Sequence, residues 1–386
     1  MQAHEMQSRE WRALARLPGV GSRRLGELLA ARPDWPAGFL AALPREAATA
    51  LRLWLDHPAR SPLTAELDAE EAWLAAGPAR HLLHPGHPHW PRLLEQIADP
   101  PPVLWALGDL AALGPPRLAM VGSRRSTREG LTNAAGFARE LAGRDWCVVS
   151  GMALGIDAAA QQAALEAGGT SIAVLGCGVD VVYPPRHHRL HRRLQETGGL
   201  LLSEHPPGTL ARAGFFPRRN RIVTGLSLGV LVVEAAEKSG SLVSARLALE
   251  QNREVFALPG SIHNPMARGC LQLIRDGAVL VRQVDDILAE LSQWAVSSAV
   301  GNAMEGTVGN AMESAVDPAA APDPIEARED SLLRWLSDTP TPVDALVSLT
   351  GRGVADCQRG LLELELEGAA TQAAGGWVRL PTRPGA

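Results

Sequence analysis

Leu118-Ala119-Met120-Val121-Gly122-Ser123-Arg124-Arg125-Ser126-Thr127-Arg128-Glu129 decides the fold. Four apolar residues run into a Gly-Ser turn, and Ser126 with Glu129 has the spacing of a capping box, so a helix is expected to start there. This is a strand feeding a turn and then a helix. Six further β-rich apolar runs follow, at Cys147–Val149, Ser171–Leu175, Gly199–Leu202, Val230–Val233, Val255–Leu258 and Ala278–Val281. Their starts lie roughly 25–30 residues apart, the length of one strand plus one returning helix. The runs are continuously apolar rather than alternating, as expected of parallel strands covered on both faces. The fold class is therefore α/β, a doubly wound and mostly parallel sheet.

Ligands of such sheets bind beyond the carboxyl ends of the strands. Small residues recur there. Gly122 and Ser123 with Arg124 follow the first run, Ser150, Gly151 and Gly155 the second, Gly176 and Gly178 the third. Ser203 and Glu204 follow the fourth, Ser239 and Gly240 the fifth, and Pro259-Gly260-Ser261 the sixth. Backbone N–H groups at such turns, beside helix N-termini, form anion sites. The G-x-G-x-x-G fingerprint of dinucleotide binding is absent. Repeated turns on one edge point instead to a long polyanion.

Between the fourth and fifth runs stands Phe215-Phe216-Pro217-Arg218-Arg219-Asn220-Arg221, holding two of the 5 phenylalanines of the chain. Arginine forks grip phosphate, and aromatic faces stack on unpaired bases of any identity. The segment reads as a clamp for single-stranded nucleic acid built on Phe216, Arg219, Asn220 and Arg221. Taken by itself the heptapeptide reads more readily as a core Phe pair followed by a solvated basic turn; the neighbouring strand-end turns are what favour the clamp.

The chain of 386 residues carries a net charge of -5 and a pI near 6.1, against a protein that coats nucleic acid with its whole surface. The basic charge is local. Arginines 186, 189, 192, 193, 212, 218, 219 and 221 lie close together in sequence with only Glu196 and Glu204 among them. Lys238 is the only lysine, and Glu237 precedes it where a Walker A loop needs glycine, which excludes P-loop ATPase chemistry. The four cysteines, Cys147, Cys177, Cys270 and Cys357, are too far apart for a C-x-x-C pair. His187, His188 and His191 cluster without a Cys or carboxylate at metal spacing. No metal and no cofactor is expected. No apolar run is long enough to span a membrane, and the N-terminal residues lack the order of a signal peptide, so a cytoplasmic protein is expected.

Residues 1–68 are expected to form a small helical domain of the helix-hairpin-helix or SAM-like kind. Its Leu17-Pro18-Gly19-Val20-Gly21 turn is either a phosphate contact assisted by Arg23 and Arg24 or an ordinary tight turn. Residues 69–292 are the sheet domain, with an additional strand at 103–107. Residues 293–326 read as a flexible linker, in which Val-Gly-Asn-Ala-Met-Glu occurs at both 300–305 and 308–313. Residues 327–381 read as three helices and a two-stranded wing, a winged helix. Three glutamates in the last helix disfavour groove reading by that half.

From about His84 to Leu288 the sequence resembles the DprA/Smf family of DNA-processing proteins. The resemblance rests on Trp90-Pro91, Asp99-Pro100-Pro101, Val121-Gly122-Ser123-Arg124, Ser150-Gly151-Met152-Ala153 with Gly155-Ile156-Asp157, and Tyr183-Pro184. It continues through Leu202-Ser203-Glu204, Phe216-Pro217 with Arg219-Asn220-Arg221, Ser239-Gly240-Ser241 and Leu258-Pro259-Gly260. It implies a Rossmann-like domain that binds single-stranded DNA as a homodimer and loads RecA recombinase during natural transformation, without catalysis. Gly122, Ser123 and Arg124 would line the DNA pocket, with Phe216, Arg219, Asn220 and Arg221 opposite. Leu271, Ile274 and Leu280 would supply a self-association and partner surface, or else belong to the core. Leu154 stands where the family often has arginine and Gln161 where it often has histidine, and no basic residue directly precedes Phe215. The competing reading is a nucleotide-binding enzyme of the phosphoribohydrolase-like Rossmann group, whose catalytic loop would correspond to Ser239-Gly240-Ser241 followed by Arg246 and Glu250, without the glycine-rich core of that motif; a carboxylate such as Asp157 or Glu234 ordinarily caps a turn or pairs with an arginine.

Overall fold

The computed structural model describes residues 6–31, 33–196, 198–291, 332, 336, 341–366, 369–373 and 376–379. The chain divides into two units, Met1–Val308 and Gly309–Ala386.

The first unit opens with five helices: α1 (Ser8–Ala15), α2 (Ser22–Ala30), α3 (Ala37–Ala42), α4 (Arg45–Asp56) and α5 (Pro62–Ala75). They close around Leu14, Leu25, Phe39, Leu51, Trp54 and Leu67. Helix therefore runs past residue 68, the expected end of the helical domain. Pro62 does not break α5, because it occupies the first helical turn, where its missing N–H has no partner to lose.

Nine strands follow: β1 (Arg80–Leu83), β2 (Leu104–Gly108), β3 (Arg117–Gly122), β4 (Cys147–Ser150), β5 (Ser171–Val174), β6 (Gly199–Ser203), β7 (Gly229–Glu234), β8 (Glu254–Ala257) and β9 (Val279–Leu280). They form one sheet in the order β1-β2-β6-β5-β4-β3-β7-β8-β9. β6 through β9 in that order are parallel, while β2 pairs antiparallel with β6 and β1 with β2. All seven apolar runs are strands, within a residue or two. β1 carries only two apolar residues, too few to stand out in the sequence.

Alternate residues of each strand enter opposite cores. Leu118, Met120, Val148, Leu231 and Phe256 face α6 (Arg128–Ala142) and α7 (Ile156–Glu166). Further along that face α8 (His188–Glu196) covers Ala173 and Leu201 through Leu190 and Leu194. Ala119, Val121, Val149, Val174 and Val232 face α9 (Phe215–Gly225), α10 (Ser241–Glu250) and α11 (Arg268–Arg275). The α-helical part packs directly on this domain: Trp11 stacks on His84 at 5.4 Å, and Trp73 meets Trp105 edge-on at 5.8 Å.

α6 starts one residue later than the capping box predicts. Its cap is Thr127, whose Oγ1 accepts the Gly130 N–H at 3.0 Å. A distant carboxylate causes the shift: Glu234, at the end of β7, accepts the Thr127 N–H at 2.9 Å.

The second unit contains α12 (Val343–Thr350), α13 (Val354–Leu366) and an antiparallel hairpin of β10 (Ala370–Ala373) and β11 (Gly376–Arg379). Gly351 ends α12 in the left-handed conformation. Leu346, Cys357, Leu361, Leu364 and Trp377 form its core. The linker at 293–326 lies outside the described residues, as does most of the first of the three helices expected within 327–381. Among the described residues no helix is long and apolar enough to cross a membrane, and no cluster of side chains has the makings of a metal site.

Gly108 ends β2 at φ +127, and a Cβ there would overlap the Gly199 carbonyl. Gly108→Ala is expected to cost on the order of 1–3 kcal/mol, read as a lower Tm in thermal unfolding.

Candidate nucleic-acid interface

The backbone donors at the strand ends have partners within the protein. Ser123 N–H donates to the Glu234 carbonyl at 2.7 Å, and Arg125 N–H to Ser123 Oγ at 3.0 Å. Gly151 and Ala153 N–H both reach Asp157 Oδ2, at 3.1 and 3.3 Å. Asp157 and Glu234 thus fill the concavities that the sequence reads as anion sites. Both carboxylates act as caps, the ordinary role for such groups at these turns. Ser150, fully buried, donates to the Met120 carbonyl at 2.6 Å. Gly155 adopts φ +82, and a Cβ there would run into the Ser123 carbonyl, so the second turn packs tightly on the first. Gln161 is buried too, accepting the Met152 N–H at 3.1 Å and donating to the Ile172 carbonyl at 3.0 Å.

The arginines of the predicted clamp divide into two kinds. Arg219 is 5% exposed and Arg221 7%. Arg219 lies under the β4 turn, donates to the Val174 carbonyl, and packs so closely on Gly151 that any Cβ there would overlap its guanidinium. Burial pushes its pKa down to about 10, opposed by nearby Asp157. The Asp157 carboxyl is in turn raised by burial, opposed first by Arg219 and then by the Ala153 and Gly151 N–H groups. Arg221 pairs with Glu204 at 2.5 Å and Asp99 at 3.1 Å, and reaches Ser22 Oγ of α2 at 3.4 Å. Arg218 is half exposed, between Glu204 at 3.3 Å and Ser22 Oγ at 2.7 Å. Neither buried arginine presents an open fork, so the structure departs both from the expected phosphate clamp at Arg219 and Arg221 and from the alternative of a solvated basic turn.

The exposed face belongs to other side chains. Phe216 lies against Gly176, where a Cβ would crowd its ring. Tyr183, 43% exposed, meets Phe216 at 5.1 Å between ring centroids. The Arg124 guanidinium, in the turn after β3, stands over the Phe216 ring at 5.9 Å from its centroid. Phe215 stacks on His205 at 4.0 Å and carries Arg212 at 5.7 Å. Arg124, Arg125, Arg128 and Arg212 are exposed and make no ion pair among the described residues. An exposed guanidinium thus stands over each of the two adjacent phenylalanines, Arg124 over Phe216 and Arg212 over Phe215, at the ends of β3 and β5.

Asn220 is half-buried on α9. Ser239, half-buried, and Gly240, exposed, precede α10 at the end of β7. β7 is three places from β5 in the sheet, about 14 Å at ordinary strand spacing. They therefore share the edge with Phe216 but not its immediate surroundings. Ile274 packs on the core, Leu271 is half-buried and Leu280 is 44% exposed on edge strand β9. Tyr183 and His205 are the site residues that sequence reasoning missed; an aromatic singlet before a Pro-Pro step was the available signal for the first.

The model for DNA recombination-mediator protein A matches residues 81–292, and the DprA winged helix domain matches 316–376. Protein Smf of Escherichia coli is 43% identical over 317 residues, covering 81% of each chain. The DNA processing protein DprA of Streptococcus pneumoniae is 44% identical over 204 residues, 52% of this chain and 71% of that one. An X-ray structure of DprA from Streptococcus pneumoniae superposes with a TM-score of 0.64 at 33% identity, covering 74% of this chain and 99% of that one.

Arg219→Ala removes the guanidinium that faces buried Asp157, and the expected loss is about 3–5 kcal/mol. The Asp157 carboxyl is raised in the folded state, so its ionised form opposes folding above that raised value and the penalty fades as pH falls through it. The Tm gap between wild type and variant should therefore narrow as the pH is lowered toward 4, measured by calorimetry against wild type at each pH.

Proposed function

The chain belongs to the DNA recombination-mediator protein A (DprA/Smf) family, and on that footing we propose that its strand-end face binds single-stranded DNA. The observation that carries this reading is the exposed, unpaired Arg124 guanidinium over the Phe216–Tyr183 pair, with Arg212 likewise over neighbouring Phe215. Phosphates neutralise the guanidinium groups, and the aromatic faces accept unpaired bases, which a duplex keeps stacked inside. Because Asp157 and Glu234 occupy the backbone concavities, phosphate contact falls to side chains, which suits a mobile polymer better than one fixed mononucleotide. Arg219 and Arg221 act as positioning residues that hold α9, and with it Phe216, against β5.

The finer reading follows the family description of a recombination mediator. The protein protects incoming single strands in the cytoplasm and passes them to RecA recombinase during natural transformation. It works as a homodimer, for which the Leu280 side of edge strand β9, with Leu271 nearby, is the proposed surface; Ile274 belongs more to the core. No cofactor or metal enters this reading.

Fluorescence anisotropy with labelled poly-dT and its duplex, at two or more salt concentrations, tests the proposal. Wild type should prefer the single strand and weaken steeply with salt. Phe216→Ala should lose about 1–3 kcal/mol of binding, and Arg124→Gln should lower the log–log salt slope by about 0.7. Duplex preference, or binding indifferent to salt and to both substitutions, would overturn it. For the dimer, Leu280→Glu should halve the mass found by light scattering while leaving the Tm within a few degrees.

A further inference from the structure

α8 carries a basic row that the site above does not use. Leu190, His191 and Leu194 are buried beneath the helix. Arg186, in the short turn before it, and Arg189 and Arg192 on the helix itself are exposed, with no ion pair among the described residues. Arg193 is the exception, turned toward Glu166 at 3.5 Å. The three free guanidinium groups recur every third residue, so they lie along one side of the helix. Like charges at that spacing repel one another, and a polyanion removes the repulsion.

The row starts beside the aromatic pair. Tyr183, which meets Phe216, is three residues before Arg186. His187 Nδ1 lies 3.0 Å from the Met152 carbonyl, next to the Gly151 turn that covers Arg219. His191 Nε2 contacts the Val179 carbonyl at 2.9 Å, and its Nδ1 is 2.8 Å from Gln195. The base of the helix is thereby fixed, and the row is held in a constant relation to the pocket.

We propose that Arg186, Arg189 and Arg192 extend the strand-binding face, gripping phosphates of the same DNA strand where it leaves the Phe216–Tyr183 pair. The inference rests on the single-strand reading above and adds a path and a length to it. A protein partner fits less well, because interfaces centre on apolar and aromatic anchors, and none of the exposed large hydrophobics lies on α8. A membrane surface fits less well again, since the apolar side of α8 is already committed to the core.

The test compares wild type with R186Q/R189Q/R192Q on dT oligonucleotides of about 6 and about 30 nucleotides, the short one near the smallest single-strand footprints. On the short strand the two proteins should agree within about twofold. On the long strand the variant should bind at least about tenfold more weakly near 0.15 M salt, and its salt slope should be lower by about 2. Equal loss on both lengths would put the row inside the pocket and overturn the proposal. So would an unchanged long-strand affinity, including the case where the variant instead loses retention on poly-glutamate and the row is a site for acidic protein. If wild type binds neither length, the single-strand reading itself falls; if wild type binds and the variant matches it, only the extension falls. Glutamine keeps the helix, so the Tm should not move. Arg189→Gln alone, expected to lower the long-strand slope by about 0.7, decides the matter if the triple variant fails to fold.

Discussion

Arg219 is a cation enclosed by protein, and the arrangement of the strand ends depends on it. Its guanidinium needs a carbonyl, a carboxylate and room, and the chain supplies all three: Val174 at the end of β5, Asp157 in the first turn of α7, and the missing side chain of Gly151. Burying such a charge is tolerable only when it is paired and hydrogen-bonded. α9 must therefore cross close to the ends of β4 and β5, and Phe216, one turn earlier on the same helix, is carried onto Gly176. One buried charge fixes where an aromatic face is presented.

A division of labour among like residues follows. The arginines that are close in sequence are not equivalent in space. Arg219 and Arg221 are structural, Arg218 stands between Glu204 and Ser22, and Arg124, Arg212 and the α8 row face solvent. The carboxylates divide the same way. Asp157 and Glu234 occupy the amide concavities at two helix starts, where a free phosphate would sit in a nucleotide-binding relative of this fold. The Glu234 carboxylate thus stands at the topological switch between β3 and β7, while the Phe216–Tyr183 pair lies at the end of β5.

The parallel sheet was legible because continuous apolar runs at regular spacing have few other interpretations. The strand-end turns were legible for the same reason, as small residues following each run. Burial was not legible: Arg219 and Arg124 are the same residue type beside similar glycines, and only the path of α9 separates a covered guanidinium from an open one. β1 was hidden because an antiparallel edge strand with two leucines leaves little periodicity. α5 was hidden because proline signals both a break and a beginning. The Ser126–Glu129 pair predicted the cap one residue early, since Glu234 acts from more than a hundred residues away. Tyr183 joins the aromatic pair through a contact that no local spacing encodes.

Ser22 opens α2 in the helical part of the first unit, and its hydroxyl receives both Arg218 and Arg221 from α9. With the Trp11–His84 and Trp73–Trp105 contacts, this makes the helical segment and the sheet a single mechanical piece. The N-terminal helices are then not an interchangeable module. Grafting the sheet domain onto another partner would bare two tryptophan-lined surfaces and leave Arg221 with one ligand fewer. Removing the Ser22 hydroxyl would therefore be felt in α9, although nearly two hundred residues separate them along the chain.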